Sequence, residues 1–307
     1  MGTEYPGSRD LFEPGGVKQL RLRALDGYEL GAVFYAALRP RAPRRVAVFH
    51  CGAGISALRY RRFAQFLAEW GIPVLTYDYR GVGLSRPPAL RGFRATMADW
   101  VDYDSGGAIA WLRERFPHDE MIGISHSIGA LALGGAPNAA EQARLVLISP
   151  HTAYFADYRA LYRLPMAVLW HGLMPLVTRI FGYFPGRRLG LGEDLPAGIA
   201  LQWAARRLPD LRPSGPGPER ERTRRLLDHC ATLQRPALAI TASDDAFATV
   251  AGAKRLLSYF PRLRSRQIVF TPAQANVGHL GHFGFFRREA GAVLWPRLLE
   301  HLEAQEA

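Results

Sequence analysis

One serine in the sequence stands where its hydroxyl could act as a nucleophile. Residues 120–137 read EMIGISHSIGALALGGAP, a short apolar run followed by Ser125-His126-Ser127-Ile128-Gly129 and then by a segment rich in Ala, Leu and Gly. This pattern indicates a strand, a tight turn and a helix, and it differs from the G-x-S-x-G of a nucleophile elbow only at Ser125. Ser127 would lie at the apex of the turn. Alternatively, Ser125 or Ser127 caps the helix, because serine is a preferred N-cap residue.

The chain also supplies candidates for the acid and the base that a nucleophilic serine needs. A serine hydroxyl is a poor nucleophile until a base takes its proton, and an imidazole base needs a carboxylate that fixes its tautomer. Asp244 and Asp245 follow one apolar run, and His279 and His282 lie in a loop beyond the next. The order Ser, Asp, His suits strand ends that meet at one edge of a parallel sheet. The residues alone leave both Asp and both His candidates open.

Alternating strand and helix patterns would bring these residues together. Asp26-Gly27 separates two alternating runs and indicates an antiparallel hairpin. Buried-strand runs follow at 45–50, 72–77, 121–124 and 143–149, with helical periodicity between most of them. Such alternation with short connections predicts an α/β fold, in which a parallel sheet has helices on both faces.

The alternation stops between residues 151 and 233 and resumes at 236. The intervening residues show helical stretches rich in aromatic residues, Leu and Met, together with loops of Gly and Pro, and they carry no strand signal. We therefore predict a core formed by residues 1–150 and 234–307 and a helical insertion at 151–233. The insertion should lie over Ser127 and suggests an apolar acyl-binding cavity, although most of its apolar side chains must pack it onto the core.

The composition is that of a globular protein and does not point to nucleic acid. The 307 residues are 48% hydrophobic and 21% charged. The formal charge is +12, but Lys18 and Lys254 are the only lysines, and the arginines are spread along the chain. Because no recognised binding motif accompanies the charge, we expect no nucleic-acid partner. The oligomeric state is left open.

Neither the cysteines nor the histidines suggest a metal or cofactor site. Cys51 and Cys230 are too few for a disulfide framework, and no C-x-x-C or H-E-x-x-H spacing is present. The stretch Cys51-Gly52-Ala53-Gly54 lacks the third Gly of a dinucleotide fingerprint and the Lys of a P-loop. We expect no metal and no cofactor. A reduced, cytoplasmic protein is the default expectation, since the first residues do not have the pattern of a secretory signal.

One stretch is apolar enough to raise the question of a membrane. Leu164 to Ile180 is rich in Leu and Met but is interrupted by two prolines, a histidine and an arginine. We expect it to be too short and too broken to span a bilayer. Contact with a membrane surface through a basic, apolar insertion is a secondary hypothesis.

Several motifs together resemble the α/β-hydrolase fold family. They are the elbow at Ser127, the small-residue loop after the strand RVAVFH, and the D-x-R-G-x-G-x-S stretch at 78–85. The resemblance covers nearly the whole chain. Within the family, the chain is similar to the predicted hydrolases grouped near serine aminopeptidase-like and monoglyceride-lipase-like enzymes. It implies a mostly parallel eight-stranded sheet, helices on both faces and a helical cap insertion.

The resemblance also implies a role for each candidate residue. Ser127 would be the nucleophile, Asp245 the orienting acid and His282 the base, because D-A-F-A-T after Asp244 and the stretch Gly281 to Arg287 match the family's patterns. The oxyanion donors would be the backbone N–H of Ile128 and one N–H from Gly52 or Ala53. The second donor is uncertain by one residue, since Cys51 replaces the glycine of the usual His-Gly pair.

We therefore predict a serine hydrolase that acts on carboxylic esters, as an esterase or lipase does, through an acyl-enzyme. Its partner would be a small, mainly apolar acyl substrate. Peptidases and acyltransferases use the same triad, and the sequence does not separate them from an esterase. A non-catalytic, ligand-binding member of the fold is the alternative from a different class.

Overall fold

The computed structural model describes residues 13–211 and 217–304, and most of its strands belong to one eight-stranded sheet. The strands span Val17–Arg23 (β1), Glu29–Tyr35 (β2), Arg45–His50 (β3), Val74–Tyr77 (β4), Glu120–His126 (β5), Arg144–Ile148 (β6), Tyr183–Phe184 (β7), Leu195–Pro196 (β8), Pro236–Ala242 (β9) and Arg264–Phe270 (β10). The large sheet has the order β1-β2-β4-β3-β5-β6-β9-β10. β2 pairs antiparallel with β1 and β4, and the other neighbouring pairs of this sheet are parallel. The predicted α/β class is confirmed.

The central strands are buried along almost their whole length. Every residue of β3 and β4 is buried, and in β5 and β6 the first residue alone is partly accessible. Parallel strands covered on both faces have no solvent side, which explains their nearly continuous apolar runs. β1, at the edge, alternates between exposed and less exposed positions instead. The candidate residues Ser127 and Asp245 therefore follow strands that are buried along most of their length.

Helices pack against this sheet in two groups. They span Arg61–Trp70 (α1), Met97–Asp99 continued by Trp100–Ser105 and Gly106–Arg115 (α2), Gly129–Gly135 (α3), Ala160–Val168 continued by Leu169–Leu173 and Met174–Phe181 (α4), Ala197–Ala204 (α5), Gly217–Thr232 (α6), Val250–Leu257 (α7) and Arg288–Ala304 (α8). α1 packs against α8, whereas α3 packs against α2 and α6. These contacts form two helical layers on the sheet, as an α/β fold requires.

The insertion consists of α4, α5, α6 and the short ribbon β7–β8. The expectation that residues 151–233 contain no strand is wrong at this ribbon, because strands of two residues are too short to show an alternating pattern. The ribbon is tied to the core: the Glu193 N–H donates to the Gly54 carbonyl at 2.8 Å, and Arg86 forms an ion pair with Asp194. The loop after β3 and the insertion are thus held together directly.

The helical run Ala160–Phe181 differs from the sequence expectation in its length. It has 22 residues, a mean hydropathy of 1.3, and only 11% of its most apolar window is buried. By length and composition alone it could cross a membrane, so the expectation that this stretch is too short was wrong. Two prolines and two arginines, Arg163 and Arg179, interrupt it. Its apolar residues are therefore largely an exposed surface of the insertion.

Candidate active site

Ser127 occupies a strained turn between β5 and α3. Its φ is +58°, in the left-handed region that residues other than glycine rarely adopt. The Ser127 N–H donates to the Ile148 carbonyl at 2.9 Å, which fixes the turn to the neighbouring strand. A Cβ on Gly129 would lie 2.5 Å from the carbonyl oxygens of His50 and Cys51, so the close crossing requires glycine. The N-cap residue is Ile128, and no side chain caps α3, so the structure does not support the capping alternative.

Asp245 and His282 lie in direct contact at the same edge of the sheet. Asp245 Oδ2 is 2.9 Å from His282 Nδ1, and Asp245 Oδ1 accepts the backbone N–H groups of Phe247 and Ala248 at 2.8 and 3.0 Å. Burial raises the pKa of Asp245, but the neighbouring His282 and these hydrogen bonds outweigh it and hold the pKa well below its usual range. Asp245 is therefore an ionised, buried carboxylate that orients the His282 ring.

The rival residues form a second Asp–His pair nearer the surface. Asp244 Oδ2 is 2.7 Å from His279 Nδ1, and the His279 side chain is 64% exposed. The Asp244 carboxylate also accepts the backbone N–H groups of Leu280 and Gly281 at 2.9 and 3.0 Å. Asp244 thus shapes the loop that carries His282, and it is Asp245 that reaches His282 itself.

The hydroxyl of Ser127 bonds to a histidine that the sequence analysis did not select. Ser127 Oγ lies 2.8 Å from His151 Nε2, and among the described residues the structure records no hydrogen bond between Ser127 Oγ and His282. The rings of His151 and His282 are nevertheless neighbours, with centroids 5.2 Å apart. His151 follows β6 by three residues and so lies at the same sheet edge as the other candidates. Its position after a predicted strand was the signal that could have identified it.

The tautomer of His151 follows from its second hydrogen bond. The Ala153 N–H donates to His151 Nδ1 at 3.0 Å, so Nδ1 is an acceptor and the ring proton is on Nε2. Nε2 therefore donates to Ser127 Oγ. Burial, followed by the neighbouring His282, lowers the pKa of His151 to about 3, which keeps the ring neutral. His151 is a neutral hydrogen-bond donor held against the Ser127 oxygen.

His126, beside the nucleophile, belongs to a hydrogen-bond chain. The Gly52 N–H donates to the Tyr60 hydroxyl at 3.1 Å, and that hydroxyl is 3.0 Å from His126 Nδ1. The His282 carbonyl can only accept, so His126 Nε2 donates to it at 3.0 Å; the neutral ring then accepts at Nδ1 the proton of the Tyr60 hydroxyl. Burial lowers the pKa of His126 well below its usual value. This series of hydrogen bonds connects the loop after β3 to the loop that carries His282.

These hydrogen bonds of Gly52, Tyr60 and His126 change the expectation for the oxyanion donors. The N–H of Gly52 is already donated to Tyr60, so Ala53 is the better candidate of the two predicted in this loop. Ala53 and Ile128 both line the cavity described below, and neither of their N–H groups bonds to another described residue. Two backbone N–H groups with no partner among the described residues thus border one cavity, which makes them the candidates for charge stabilisation at a carbonyl oxygen.

The stretch at 78–85 fixes the neighbouring backbone at this edge through hydrogen bonds. The buried Asp78 carboxylate accepts the N–H groups of Ala57 and Leu84 at 2.6 and 2.7 Å. Burial raises the pKa of Asp78 to about 6, and these hydrogen bonds oppose that rise. Ser85 Oγ donates to the Asp78 carbonyl and accepts the Gly31 N–H, so the motif has a structural role.

A cavity of about 270 Å³ lies between the core and the insertion, and Ile128 and Gly129, which follow Ser127 in the chain, line it. Its core wall includes Ala53, Ile128 and other apolar side chains, and its opposite wall comes from the region of α5 and α6. The charged residues in its wall are Arg206, Arg207 and Asp210. Its volume is near the lower end of the roughly 300–1,000 Å³ usual for small-molecule sites. The space suits a small, mainly apolar group near the turn that carries Ser127.

Comparison with known proteins agrees with this fold. The family described as "Serine aminopeptidase, S33" matches residues 41–187. The chain has the α/β-hydrolase fold. Among solved structures it is similar to an esterase of Pyrococcus furiosus, with a TM-score of 0.60 and 14% identity over 100% of this chain and 96% of that one. No curated protein matches its sequence.

Two further α/β-hydrolase structures are similar over most of their length. An esterase of Thermogutta terrifontis has a TM-score of 0.57 and 15% identity, covering 92% of this chain and 98% of that one. A monoacylglycerol lipase of Paleococcus ferrophilus has a TM-score of 0.53 and 14% identity, covering 89% and 98%. The predicted resemblance to the α/β-hydrolase fold family is confirmed, and at these identities the structural likeness concerns the fold.

Proposed function

We propose that this protein is a serine hydrolase that cleaves carboxylic esters through an acyl-enzyme. The observation that carries the proposal is the convergence of Ser127, the Asp245–His282 pair and two backbone N–H groups at one sheet edge beside a cavity. The solved structures with this fold that are described as esterases and as a monoacylglycerol lipase support the substrate class.

In the proposed mechanism Ser127 Oγ attacks the ester carbonyl carbon while its proton passes to His282 Nε2. Asp245, at Nδ1, fixes the tautomer of His282 and stabilises the imidazolium that forms. The alkoxy group leaves with that proton as an alcohol, and the acyl group stays on Oγ. Water then attacks the acyl carbon and gives a proton to His282. The C–Oγ bond breaks, His282 returns the proton to Oγ, and a carboxylic acid leaves.

His151 supports this mechanism without being its base. To accept a proton at Nε2 it would need its own proton on Nδ1, where the Ala153 N–H already donates. Its Nε2–H instead occupies one lone pair of Ser127 Oγ, which leaves the hydroxyl proton free to turn toward His282. When Oγ departs in deacylation, the same donor stabilises the negative charge that develops on it. His151 is thus assigned as a donor to the reacting oxygen.

The proposed oxyanion donors are the N–H groups of Ile128 and Ala53. Both line the cavity next to Ser127 and act on the carbonyl oxygen as it becomes negative. One such donor contributes on the order of 10²–10³ in rate in serine hydrolases. Gly52 would have this role only after giving up its bond to Tyr60.

The remaining expectations enter the proposal unchanged. Residues 151–233 are assigned as the cap that covers the substrate, and the acyl group would lie in the cavity beneath it. Cys51 and Cys230 are free and buried, which is compatible with a reduced, cytoplasmic location. Within residues 13–211 and 217–304 no group of three potential ligands is placed to hold a metal ion. The absence of metal and cofactor stays a prediction.

The proposal is tested by active-site labelling. A fluorophosphonate probe should label the wild type and leave Ser127→Ala unlabelled, because the probe reacts with an activated serine. Ser125→Ala is the matched control: its hydroxyl is buried in the same turn but has no hydrogen-bond partner among the described residues, so labelling should persist. Labelling of Ser127→Ala, or no labelling of the wild type, would overturn the proposal.

Aminopeptidase activity is the second candidate, because the matching family is described as a serine aminopeptidase. An aminopeptidase must accept a substrate's positively charged amino terminus. The charged residues of the cavity wall are two arginines and one aspartate, Arg206, Arg207 and Asp210, so the wall has a net positive charge that disfavours a further cation. Rates on 4-nitrophenyl acyl esters and aminoacyl 4-nitroanilides should differ strongly in favour of the esters. Faster cleavage of the anilides would reverse the choice.

A further inference from the structure

Arg206 differs from several other partly buried arginines in the described part of the chain. Several of these face carboxylates, as the pairs Arg80 with Asp26 and Asp104, Arg222 with Asp99 and Asp102, and Arg255 with Asp157 show. Arg206 lines the cavity, and within residues 13–211 and 217–304 it forms no ion pair. Its recorded side-chain contacts are with the Thr152 carbonyl, 3.4 Å from Nη1, and with Met97 Sδ, 2.8 Å from Nη2.

An arginine in this position is costly unless a partner reaches it. Charged groups away from water are normally paired, because a carbonyl and a thioether do not replace a counter-ion. Burial lowers the pKa of Arg206 to about 10, so the guanidinium stays charged at neutral pH. A guanidinium has five N–H donors, and the two recorded contacts leave donors available to a ligand. The charge is therefore placed for an anion that arrives from the cavity.

The position of Arg206 relates it to the reacting groups. Thr152, whose carbonyl it contacts, is the neighbour of His151, which bonds to Ser127 Oγ. The charge of Arg206 also contributes, after burial and His282, to the low pKa of His151. The cavity that Arg206 lines is the one that Ala53 and Ile128 line beside the nucleophile. An acyl group bound in this cavity would have its carbonyl near Ala53 and Ile128, and Arg206 would line the same cavity.

We propose that Arg206 binds a carboxylate at the far end of the substrate's acyl chain, so that the preferred substrates are monoesters of short dicarboxylic acids. This inference rests on the proposed ester hydrolysis. A guanidinium recognises a carboxylate through paired, charge-assisted hydrogen bonds, and the apolar walls accommodate the methylene groups between carboxylate and ester. The modest cavity volume of about 270 Å³ favours a short chain.

The test uses two esters that differ at one end. 4-Nitrophenyl hydrogen adipate and 4-nitrophenyl hexanoate have acyl chains of equal length that end in a carboxylate and a methyl group. After correction for spontaneous hydrolysis, the wild type should have a kcat/KM roughly 10- to 100-fold higher for the adipate ester, the usual range for hydrogen bonds between charged groups. Arg206→Gln should remove this preference, so that the two esters are cleaved with similar kcat/KM.

Three controls separate the possible causes of a change. Arg207→Gln removes a neighbouring charge from the same cavity wall and should keep most of the preference. Arg206→Lys keeps the charge without the paired donors and should keep part of it. An ester with its carboxylate on the alcohol, 4-(hexanoyloxy)benzoate, should not be preferred. A preference for it that depends on Arg206 would overturn the placement of the carboxylate on the acyl side.

Binding of adipate by calorimetry gives a readout that does not depend on turnover. Adipate should bind to Ser127→Ala and bind at least tenfold more weakly to the double variant with Arg206→Gln. Equal hydrolysis of both esters by the wild type, or a parallel loss on both in Arg206→Gln with unchanged adipate binding, would overturn the inference and leave ester hydrolysis standing. If neither ester is cleaved and the fluorophosphonate does not react, the proposed function itself is wrong, and adipate binding still decides whether Arg206 is an anion site.

Discussion

The catalytic edge of the sheet and the cap helix Ala160–Phe181 differ in how far their side chains are buried. At the sheet edge Ser127, Asp245 and His151 are buried, and each polar atom has a directed partner. On the cap helix many large apolar side chains face outward, with Leu161 80% and Leu164 73% exposed. Chemistry that depends on fixed distances is thus placed on buried strand ends, whereas the cap can change its outer surface at little cost to that geometry.

The largest effect is expected from the two adjacent aspartates at the catalytic edge. Asp245→Asn should lower kcat/KM on a 4-nitrophenyl ester by about 10³–10⁴, because an amide no longer fixes the tautomer of His282. Asp244→Asn alters the loop without touching His282 and should lower it less than about tenfold. Steady-state kinetics of both variants check this, with circular dichroism as the folding control. A larger loss in Asp244→Asn than in Asp245→Asn would mean that Asp244 is the residue that orients His282.

A smaller effect is expected at His151. Removing the donor with His151→Leu should lower kcat/KM about tenfold and slow deacylation, whereas His151→Gln, which offers an N–H of similar reach, should recover part of the loss. Since the pKa of His151 is about 3, the ring is neutral throughout the usual pH range. The acid limb of the pH–rate profile should therefore keep its position in both variants. Loss of that limb, with a fall of 10³ or more, would make His151 the base.

The sequence predicted the catalytic edge better than it predicted the cap. Ser127 and Asp245 follow buried strands, whose apolar runs are easy to recognise, and His282 lies in the loop after the exposed edge strand β10; the carboxyl ends of these parallel strands must share one edge. His151 follows such a strand as well, but which side chain turns toward Ser127 depends on the left-handed backbone of Ser149 and Ala153, with φ of +48° and +61°. Sequence spacing contains no information on that direction.

In the cap, local signals were weak or ambiguous. Residues 213–218 were predicted as a flexible Gly and Pro segment, of which 213–216 lie outside the described residues. Gly217 and Pro218 instead begin α6, where proline is favourable in the first turn because its missing N–H has no helical partner there. Arg206 was missed for another reason: in a chain with many arginines, nothing in the sequence marks the one that lines a cavity and forms no ion pair with another described residue.

The smallest effect is expected on the outer face of the cap. The double substitution Leu161→Ser and Leu164→Ser should change the free energy of unfolding by less than about 0.5 kcal/mol per site, because exposed side chains lose little contact on replacement. kcat/KM on a soluble 4-nitrophenyl ester should stay within about twofold. Leu133→Ala, at a fully buried leucine of α3, is the matched contrast and should cost about 2–5 kcal/mol. Urea denaturation of the three proteins measures both. A destabilisation of the double variant as large as that of Leu133→Ala would mean that these leucines are covered in solution, and the contrast between a buried catalytic edge and an unconstrained cap surface would no longer hold.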